Sequence, residues 1–116
     1  MTIKILEPAE VARLLKEDAI VLIDVREPVE YAVERIHGAL LFPLSTFDPH
    51  GLPDVGKRAV VFHCAAGSRS ATAIMMCQRA GLAHDSHLRG GIQAWKFAGL
   101  PTVSVDPRTG RTIDPH

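Results

Sequence analysis

Residues 59–70 read Ala-Val-Val-Phe-His-Cys-Ala-Ala-Gly-Ser-Arg-Ser, and the predicted fold is built around them. An apolar run rich in β-branched residues is followed by a loop of small residues and then by an alanine- and methionine-rich segment that ends at Gly81. This order predicts a buried strand, a tight loop and a helix. We expect Ser70 to cap the start of the helix and Gly81 to terminate it.

Cys64 lies at the start of this loop, where the backbone favours a negative charge. None of residues 65–70 is proline, so every amide in the loop can donate a hydrogen bond. The following helix adds the positive end of its dipole. A helix N-terminus and a neighbouring cation, here Arg69, lower the pKa of a thiol below its usual value of about 8.5. The sequence therefore predicts that Cys64 is a nucleophile rather than a buried, inert cysteine.

The composition limits the classes of partner. The 116 residues suffice for one domain with a hydrophobic core. Lysine plus arginine and aspartate plus glutamate both number 13, so the chain has no basic field for nucleic acid or an anionic membrane. No apolar run is long enough to span a bilayer, and the N-terminus lacks the pattern of a signal peptide. We expect a cytoplasmic protein that binds neither nucleic acid nor membranes.

The rest of the chain alternates between strands and helices, which is typical of a parallel α/β sheet. The predicted elements are an edge strand over 3–6, a helix over 8–16, a buried strand over 19–23, a short helix over 27–34, a turn and strand within 35–44, a loop over 45–57 with at most one helical turn, a strand over 85–88 and a helix over 92–98. We expect residues 1–103 to form one domain. Residues 104–116 are predicted to be a C-terminal tail, extended over the surface or disordered.

Charged side chains follow the buried strand over 19–23, where the sequence continues with Asp24, Val25 and Arg26. Because α/β folds place their sites at the carboxyl ends of the strands, we expect this edge to face the Cys64 loop. We interpret Asp24 and Arg26 as an ion pair or helix cap that supports the site rather than as reacting groups.

The second cysteine, Cys77, is expected to be structural, because two cysteines cannot build a disulfide framework. With Ser70 as the cap, Cys77 lies roughly 10 Å along the helix axis. That exceeds the Cα separation of about 7 Å that a disulfide tolerates. We therefore expect Cys77 to pack against the sheet without an internal disulfide.

The histidines outside the loop do not indicate a metal site. His84 and His87 are three residues apart, but no third ligand matches their spacing. We interpret His37, beside Gly38, as a surface or hydrogen-bonding residue.

Taken in order along the chain, several motifs resemble the rhodanese-like (sulfurtransferase) family over about residues 4–103. The resemblance implies an α/β rhodanese-like fold, a small parallel five-stranded sheet flanked by helices on both faces. The segments that carry it are Asp24-Val25-Arg26-Glu27, Glu30-Tyr31, Ile36-His37-Gly38-Ala39, Pro43-Leu44, the loop from Cys64 to Ser70, Leu88-Arg89-Gly90-Gly91, Ala94-Trp95 and Ala98-Gly99-Leu100-Pro101.

The resemblance also implies an activity. Cys64 would take a sulfane sulfur, for example from thiosulfate, as a persulfide and pass it to cyanide, a thiol or a protein cysteine, with no cofactor. Asp24 and Arg26 would help to hold the site together. The amides that would cradle the persulfide belong to Ala65, Ala66, Gly67, Ser68, Arg69 and Ser70.

The sequence departs from the family pattern in two places. Residues 35–39 read Arg-Ile-His-Gly-Ala where the family often has His-x-Pro-Gly-Ala. Ala65 and Ala66 are neutral where some relatives carry a cation, which leaves Arg69 as the main charge available to an anionic donor.

Two alternative functions remain open. His63 and Cys64 are similar to the start of the His-Cys-x5-Arg motif of cysteine phosphatases, but only four residues separate Cys64 from Arg69. A loop of that size is one residue too short to wrap a tetrahedral phosphate. The other alternative is a sulfur carrier or binding module that acts only on a partner protein, although the presence of Cys64 argues against an inert module.

Overall fold

The molecule is built around a central parallel sheet, and the computed structural model describes residues 2–115. The strands are β1 (Lys4–Leu6), β2 (Ile20–Asp24), β3 (Glu34–Arg35), β4 (Leu40–Leu41), β5 (Ala59–His63), β6 (Ser86–Leu88), β7 (Val103–Val105) and β8 (Thr112–Ile113). The helices are α1 (Pro8–Lys16), α2 (Pro28–Val33), α3 (Ser68–Arg79) and α4 (Gly91–Phe97). The loop between β4 and β5 contains two short 3-10 turns, Leu44–Thr46 and Pro49–Gly51, where the sequence predicted at most one helical turn.

Five strands form the central sheet in the order β1-β6-β5-β2-β4, and every neighbouring pair is parallel. The strand that precedes Cys64, β5, is therefore the middle one, and β1 lies at the edge as predicted. Parallel neighbours need crossover connections, which the intervening helices supply. The predicted fold class, a five-stranded parallel sheet with flanking helices, is confirmed.

The hydrophobic core has two halves, one on each face of the sheet. On one face Val21, Ile23 and Phe62 pack against Ile74 and Cys77 of α3. The side chains alternate along each strand, so the residues between them point to the other face. On that face the core residues are Leu22 and Val61 from the strands, Val11 from α1, and Ile92 and Trp95 from α4.

The N-cap of helix α3 lies three residues before the predicted one. Gly67, with φ of +116°, is the N-cap, and Ser70 lies within the first turn, so the prediction that Ser70 caps the helix is wrong. The left-handed backbone that Gly67 adopts is one that glycine tolerates without steric cost. The end of the helix is as predicted, because Gly81 has φ of +81° and its amide donates to Gln78 O, while Leu82 donates to Cys77 O.

The C-terminal segment forms part of a second, smaller sheet. Strands β3, β7 and β8 pair antiparallel in that order, and Val103 is 3% exposed. The sequence predicted an extended or disordered tail and did not predict this pairing. In the structure, β7 and β8 form a hairpin through a turn in which the Gly110 amide donates to Asp106 O. The predicted domain begins at Met1 and the predicted tail ends at His116. Both of these terminal residues lie outside the described residues.

Two further observations concern the surface. His37 is exposed, and its Nδ1 lies 3.1 Å from Asp114 Oδ2 in the C-terminal segment, in agreement with its interpretation as a hydrogen-bonding residue. Within residues 2–115, no helix has the length and apolar character that a membrane crossing requires.

Candidate active site

Cys64 directly follows the middle strand, β5, and its side chain is enclosed by the loop that leads into α3. The residue is 1% exposed. Its sulfur accepts hydrogen bonds from the amides of Gly67, at 3.0 Å, and Ser70, at 3.4 Å. The Ser70 hydroxyl oxygen lies 3.6 Å from the same sulfur. The loop therefore directs its donors at one sulfur atom.

These contacts determine the pKa of the Cys64 thiol. Burial raises it, but hydrogen bonds from the Ser70 hydroxyl and from the amides of Ser70, Gly67 and Ala66 outweigh burial and bring the pKa below its usual value. A thiolate is the form of cysteine that attacks electrophiles. The site is thus suited to a nucleophile that is stabilised by backbone amides.

Arg69 lies on the same loop, but its charge is already paired. Its Nη1 and Nη2 donate to the two carboxylate oxygens of Glu30, at 2.7 and 3.0 Å. The Arg69 hydrogen bond is the largest effect on Glu30 and lowers the pKa of that carboxyl to about 2. Arg69 was expected to be the main charge for an anionic donor. In the structure that charge is compensated by Glu30, a residue that the sequence analysis did not include in the site.

Asp24 and Arg26 form a buried ion pair at the end of β2. Arg26 Nε lies 3.0 and 3.1 Å from the two Asp24 oxygens, and its Nη2 lies 2.8 Å from Oδ2. The same Nη2 donates to Glu34 O at 2.7 Å, which ties β2 to β3. All of these contacts join structural elements of the protein to one another, which agrees with the interpretation of Asp24 and Arg26 as residues that support the site.

His63 connects this ion pair to the Cys64 backbone. Its Nδ1–H donates to Cys64 O at 3.1 Å. Its Nε2 lies 3.4 Å from Asp24 Oδ2, yet it makes no hydrogen bond to any of the described residues. Burial lowers the pKa of His63, and the negative charge of Asp24 only partly opposes that effect. A neutral ring therefore holds the Cys64 carbonyl group in place.

The second support of the loop is the Gly90-Gly91 turn. The amide of Ile92 donates to Cys64 O at 2.9 Å, and that of Gln93 donates to Ala65 O at 3.1 Å. A Cβ atom on Gly91 would lie 2.2 Å from Cys64 O, and its φ is +60°. From the sequence this segment was a turn only. The structure shows that the absence of a side chain lets α4 dock against the loop.

His87 also belongs to this region, although the sequence analysis treated it only as a weak metal ligand. It is 7% exposed, on β6, and its Nδ1 lies 2.8 Å from Ser70 Oγ. A polar residue inside a short buried strand is the signal that could have identified it. His84 instead packs against the edge of Phe62, with ring centroids 6.4 Å apart. In the described part of the chain, no cluster of His, Cys, Asp or Glu could hold a metal ion.

Cys77 is placed as predicted, in the core between α3 and the sheet. It is fully buried and unpaired with Cys64, since both cysteines are free. Burial raises the pKa of its thiol to about 11. The two cysteines therefore differ in reactivity for a physical reason: donors surround the Cys64 sulfur, and apolar side chains surround Cys77.

Comparison with known proteins identifies relatives of this chain. An uncharacterized protein of Synechocystis, slr1261, is 41% identical over 98 residues, or 84% of this chain, and the chain spans 55% of that protein's length. A protein named sulfurtransferase from Allochromatium vinosum is 37% identical over 95 residues, which cover 81% of this chain and 88% of that protein. The solution structure of the rhodanese-like domain of Alr3790 from Anabaena has a TM-score of 0.77 at 27% identity and covers 100% of this chain and 90% of that one.

The family assignment agrees with these relatives and with the fold. The rhodanese-like domain matches residues 7–98, which include the Cys64 loop, both of its supports and every strand of the central sheet except the edge strand β1. The motifs that suggested this family from the sequence lie within the matched range, apart from the segment Gly99-Leu100-Pro101. The chain belongs to the rhodanese-like domain family.

Proposed function

We propose that this chain is a sulfurtransferase that carries a sulfane sulfur on Cys64 as a persulfide and passes it to a thiophilic acceptor such as a thiol or cyanide. The observation that carries the proposal is the set of donors on the Cys64 sulfur, namely the amides of Gly67 and Ser70. A relative with 37% identity bears the name sulfurtransferase, which supports the same reaction class.

The first half-reaction loads the sulfur. The Cys64 thiolate attacks the outer sulfur of the donor, a new S–S bond forms, and the old bond to that sulfur breaks with its electron pair leaving on the donor. With thiosulfate the leaving group is sulfite. The negative charge then lies on the terminal sulfur of the persulfide, where amides of the loop would stabilise it as backbone donors stabilise an oxyanion.

The second half-reaction removes the terminal sulfur from the Cys64 persulfide. The acceptor attacks the terminal sulfur, and Cys64 leaves as a thiolate, so the site returns to its starting state. Cyanide would give thiocyanate and a thiol would give a new persulfide. Every electron pair is accounted for by the donor and the acceptor, and the reaction uses no cofactor.

The charges around the Cys64 loop affect which sulfur donor can load Cys64. Ala65 and Ala66 are neutral, and Arg69 is bound by Glu30 through both terminal nitrogens. A dianion such as thiosulfate must therefore compete with a carboxylate for the nearby cation. We propose that a persulfide on a small thiol or on a partner protein loads Cys64 more efficiently than thiosulfate does.

The test is the intact mass of the protein after incubation with thiosulfate or, separately, with glutathione persulfide. We expect wild type to gain one sulfur atom and to lose it on addition of cyanide, with thiocyanate formed. Cys64→Ser, which is nearly isosteric, should remain folded and gain nothing. Cys77→Ser is the matched control and should load as wild type does.

Each other outcome has a definite meaning. Loading on Cys64→Ser but not on Cys77→Ser would overturn the assignment of the nucleophile. Loading of wild type with release only to a protein acceptor would identify a dedicated carrier. Hydrolysis of an aryl phosphate that depends on Cys64, without sulfur loading, would replace the proposal by the phosphatase alternative.

A further inference from the structure

We propose that His87 is a positioning residue that receives the proton of the Cys64 thiol through the Ser70 hydroxyl. The inference rests on the proposed role of Cys64 as the nucleophile. The three side chains form a line in which Sγ of Cys64 lies 3.6 Å from Oγ of Ser70, and that oxygen lies 2.8 Å from Nδ1 of His87.

Low exposure favours an acceptor inside the protein for this proton. Cys64 is 1% exposed, Ser70 is fully buried and His87 is 7% exposed. The Cys64 sulfur therefore has little contact with bulk water. Since only the thiolate attacks a donor sulfur, a base close to the thiol favours the reactive form, and the Ser70 hydroxyl contacts both the sulfur and such a base.

The proton count balances with no other reactant. In the thiol state S–H donates to Ser70 Oγ, and the Ser70 O–H donates to Nδ1 of His87. Transfer breaks the S–H bond and forms an O–H bond on Ser70, while the original O–H bond breaks and an Nδ1–H bond forms. In the thiolate state Ser70 donates to the sulfur and His87 donates to Ser70. Gly67 O, 3.1 Å from Ser70 Oγ, is an alternative acceptor for the single hydroxyl hydrogen.

The surroundings of His87 keep its ring neutral while Cys64 is a thiol. Residues in register with it on the neighbouring strands are Phe62 of β5 and Ile5 of β1, both apolar. Burial lowers the pKa of His87, and the positive charge of Arg89 lowers it further. Arg89 itself is paired with Glu7, which reduces its effect. The ring is thus neutral at neutral pH, and the charged or titratable groups that bear on it are Arg89, which follows β6, and Cys64 at the other end of the path.

The experiment measures the alkylation rate of Cys64 by iodoacetamide as a function of pH. The decisive variant is His87→Asn, because an asparagine side chain can keep a hydrogen bond to Ser70 but cannot take up a proton. We expect its profile to shift to higher pH by about one unit, so that the rate at any pH well below the wild-type thiol pKa is about tenfold lower. Circular dichroism and the midpoint of thermal unfolding check that the variant is folded.

Two further variants make the test specific. Ser70→Ala should produce a shift of similar size, and the Ser70→Ala/His87→Asn double variant should shift no further than the larger single one, because both interrupt the same path. His84→Asn, a nearby histidine outside the path, should match wild type. A wild-type profile for folded His87→Asn would overturn the inference and leave the Ser70–His87 contact as a structural link between α3 and β6. Because alkylation requires no sulfur donor, this result is independent of whether Cys64 loads sulfur.

Discussion

Glu30 compensates the positive charge of Arg69, the cation on the Cys64 loop. Two hydrogen bonds join the two side chains, each of which is about one third exposed. The side chain of Glu30 also accepts from the Glu27 amide at 2.9 Å and so completes the cap of α2. The Glu30 carboxylate therefore caps the N-terminus of α2 and also compensates the charge of Arg69 on the Cys64 loop.

Glu30→Gln separates those two tasks. The glutamine oxygen can still accept from the Glu27 amide, whereas the charge that compensates Arg69 is lost. We expect the KM for thiosulfate to fall by about two- to fivefold, because a freed cation at an exposed site contributes about 1 kcal/mol or less to an anion. Turnover with glutathione persulfide as the donor should change less. The measurement is steady-state thiocyanate formation with each donor.

The matched control is Glu34→Gln, a carboxylate on the neighbouring strand β3 that pairs with Lys96 rather than with the loop. It should leave the KM for thiosulfate unchanged. An equal effect of both variants, or none for Glu30→Gln, would contradict a role of this ion pair in donor selection. The sequence could not predict the pair, because Glu30 and Arg69 are 39 positions apart and neither position carries a local pattern that indicates the other.

At the scale of the elements, α4 is the piece that fixes the Cys64 loop from the side opposite α3. Its first residue, Gly91, and the glycine after its end, Gly99, both have positive φ, +60° and +78°. They differ in the space around them. A Cβ on Gly91 would meet Cys64 O and Ala65 backbone atoms, whereas one on Gly99 would meet nothing within 4 Å.

This contrast gives a prediction about the two ends of one helix. Gly99→Ala should cost roughly 1–2 kcal/mol of stability, the strain of a left-handed alanine, and leave sulfur loading intact. Gly91→Ala should cost about 2–6 kcal/mol, because overpacking against backbone is added to the strain, and should slow the loading of Cys64. Urea unfolding and the mass assay measure the two effects. Equal loading rates in the two variants would show that α4 does not position the loop.

The elements that the sequence predicted well are those with a local cause. Strand β2 is an unbroken apolar run, Pro8 starts α1 and Gly81 ends α3, so each boundary is encoded within a few residues. The elements that were missed depend on distant partners. Strand β3 is two residues long and has no periodicity, and it exists because it pairs with β7 about 70 positions later.

The same distinction applies to the site. Cys64 and its amide donors are consecutive in the sequence, so the composition of the loop predicted where an anion would be favoured. The start of α3 was misplaced because Ser70 has the side chain of a cap, whereas Gly67 has the backbone freedom that the tight loop requires. His87 was missed because its partner, Ser70, lies on another element, and only the parallel alignment of β5 with β6 brings them together.

In the molecule as a whole, polar contacts rather than buried side chains attach the region around α2 to the other elements. The helix contributes no buried residue, while the other three helices contribute to the core. Instead, carboxylates tether this region, with Glu30 on Arg69 of α3 and Glu34 on Lys96 of α4 and on Thr102. For Glu34, burial raises the pKa, but hydrogen bonds to Lys96 and Thr102 bring it below its usual value.

These tethers make stability depend on pH in a direction that can be worked out. The pKa of Glu30 is about 2 in the folded protein and its ordinary value is 4.5, so the unfolded chain binds more protons between those values. The stabilisation by Glu30 is therefore complete above about pH 4.5 and is lost as the pH falls toward 2. We expect the urea midpoint of wild type to decrease over this range and the midpoint of Glu30→Gln to decrease less steeply. Glu10→Gln, on the exposed side of α1, should retain the wild-type slope. If Glu30→Gln keeps that slope as well, the carboxylate does not tether α2 to the core, and the helix must be held by its remaining contacts alone.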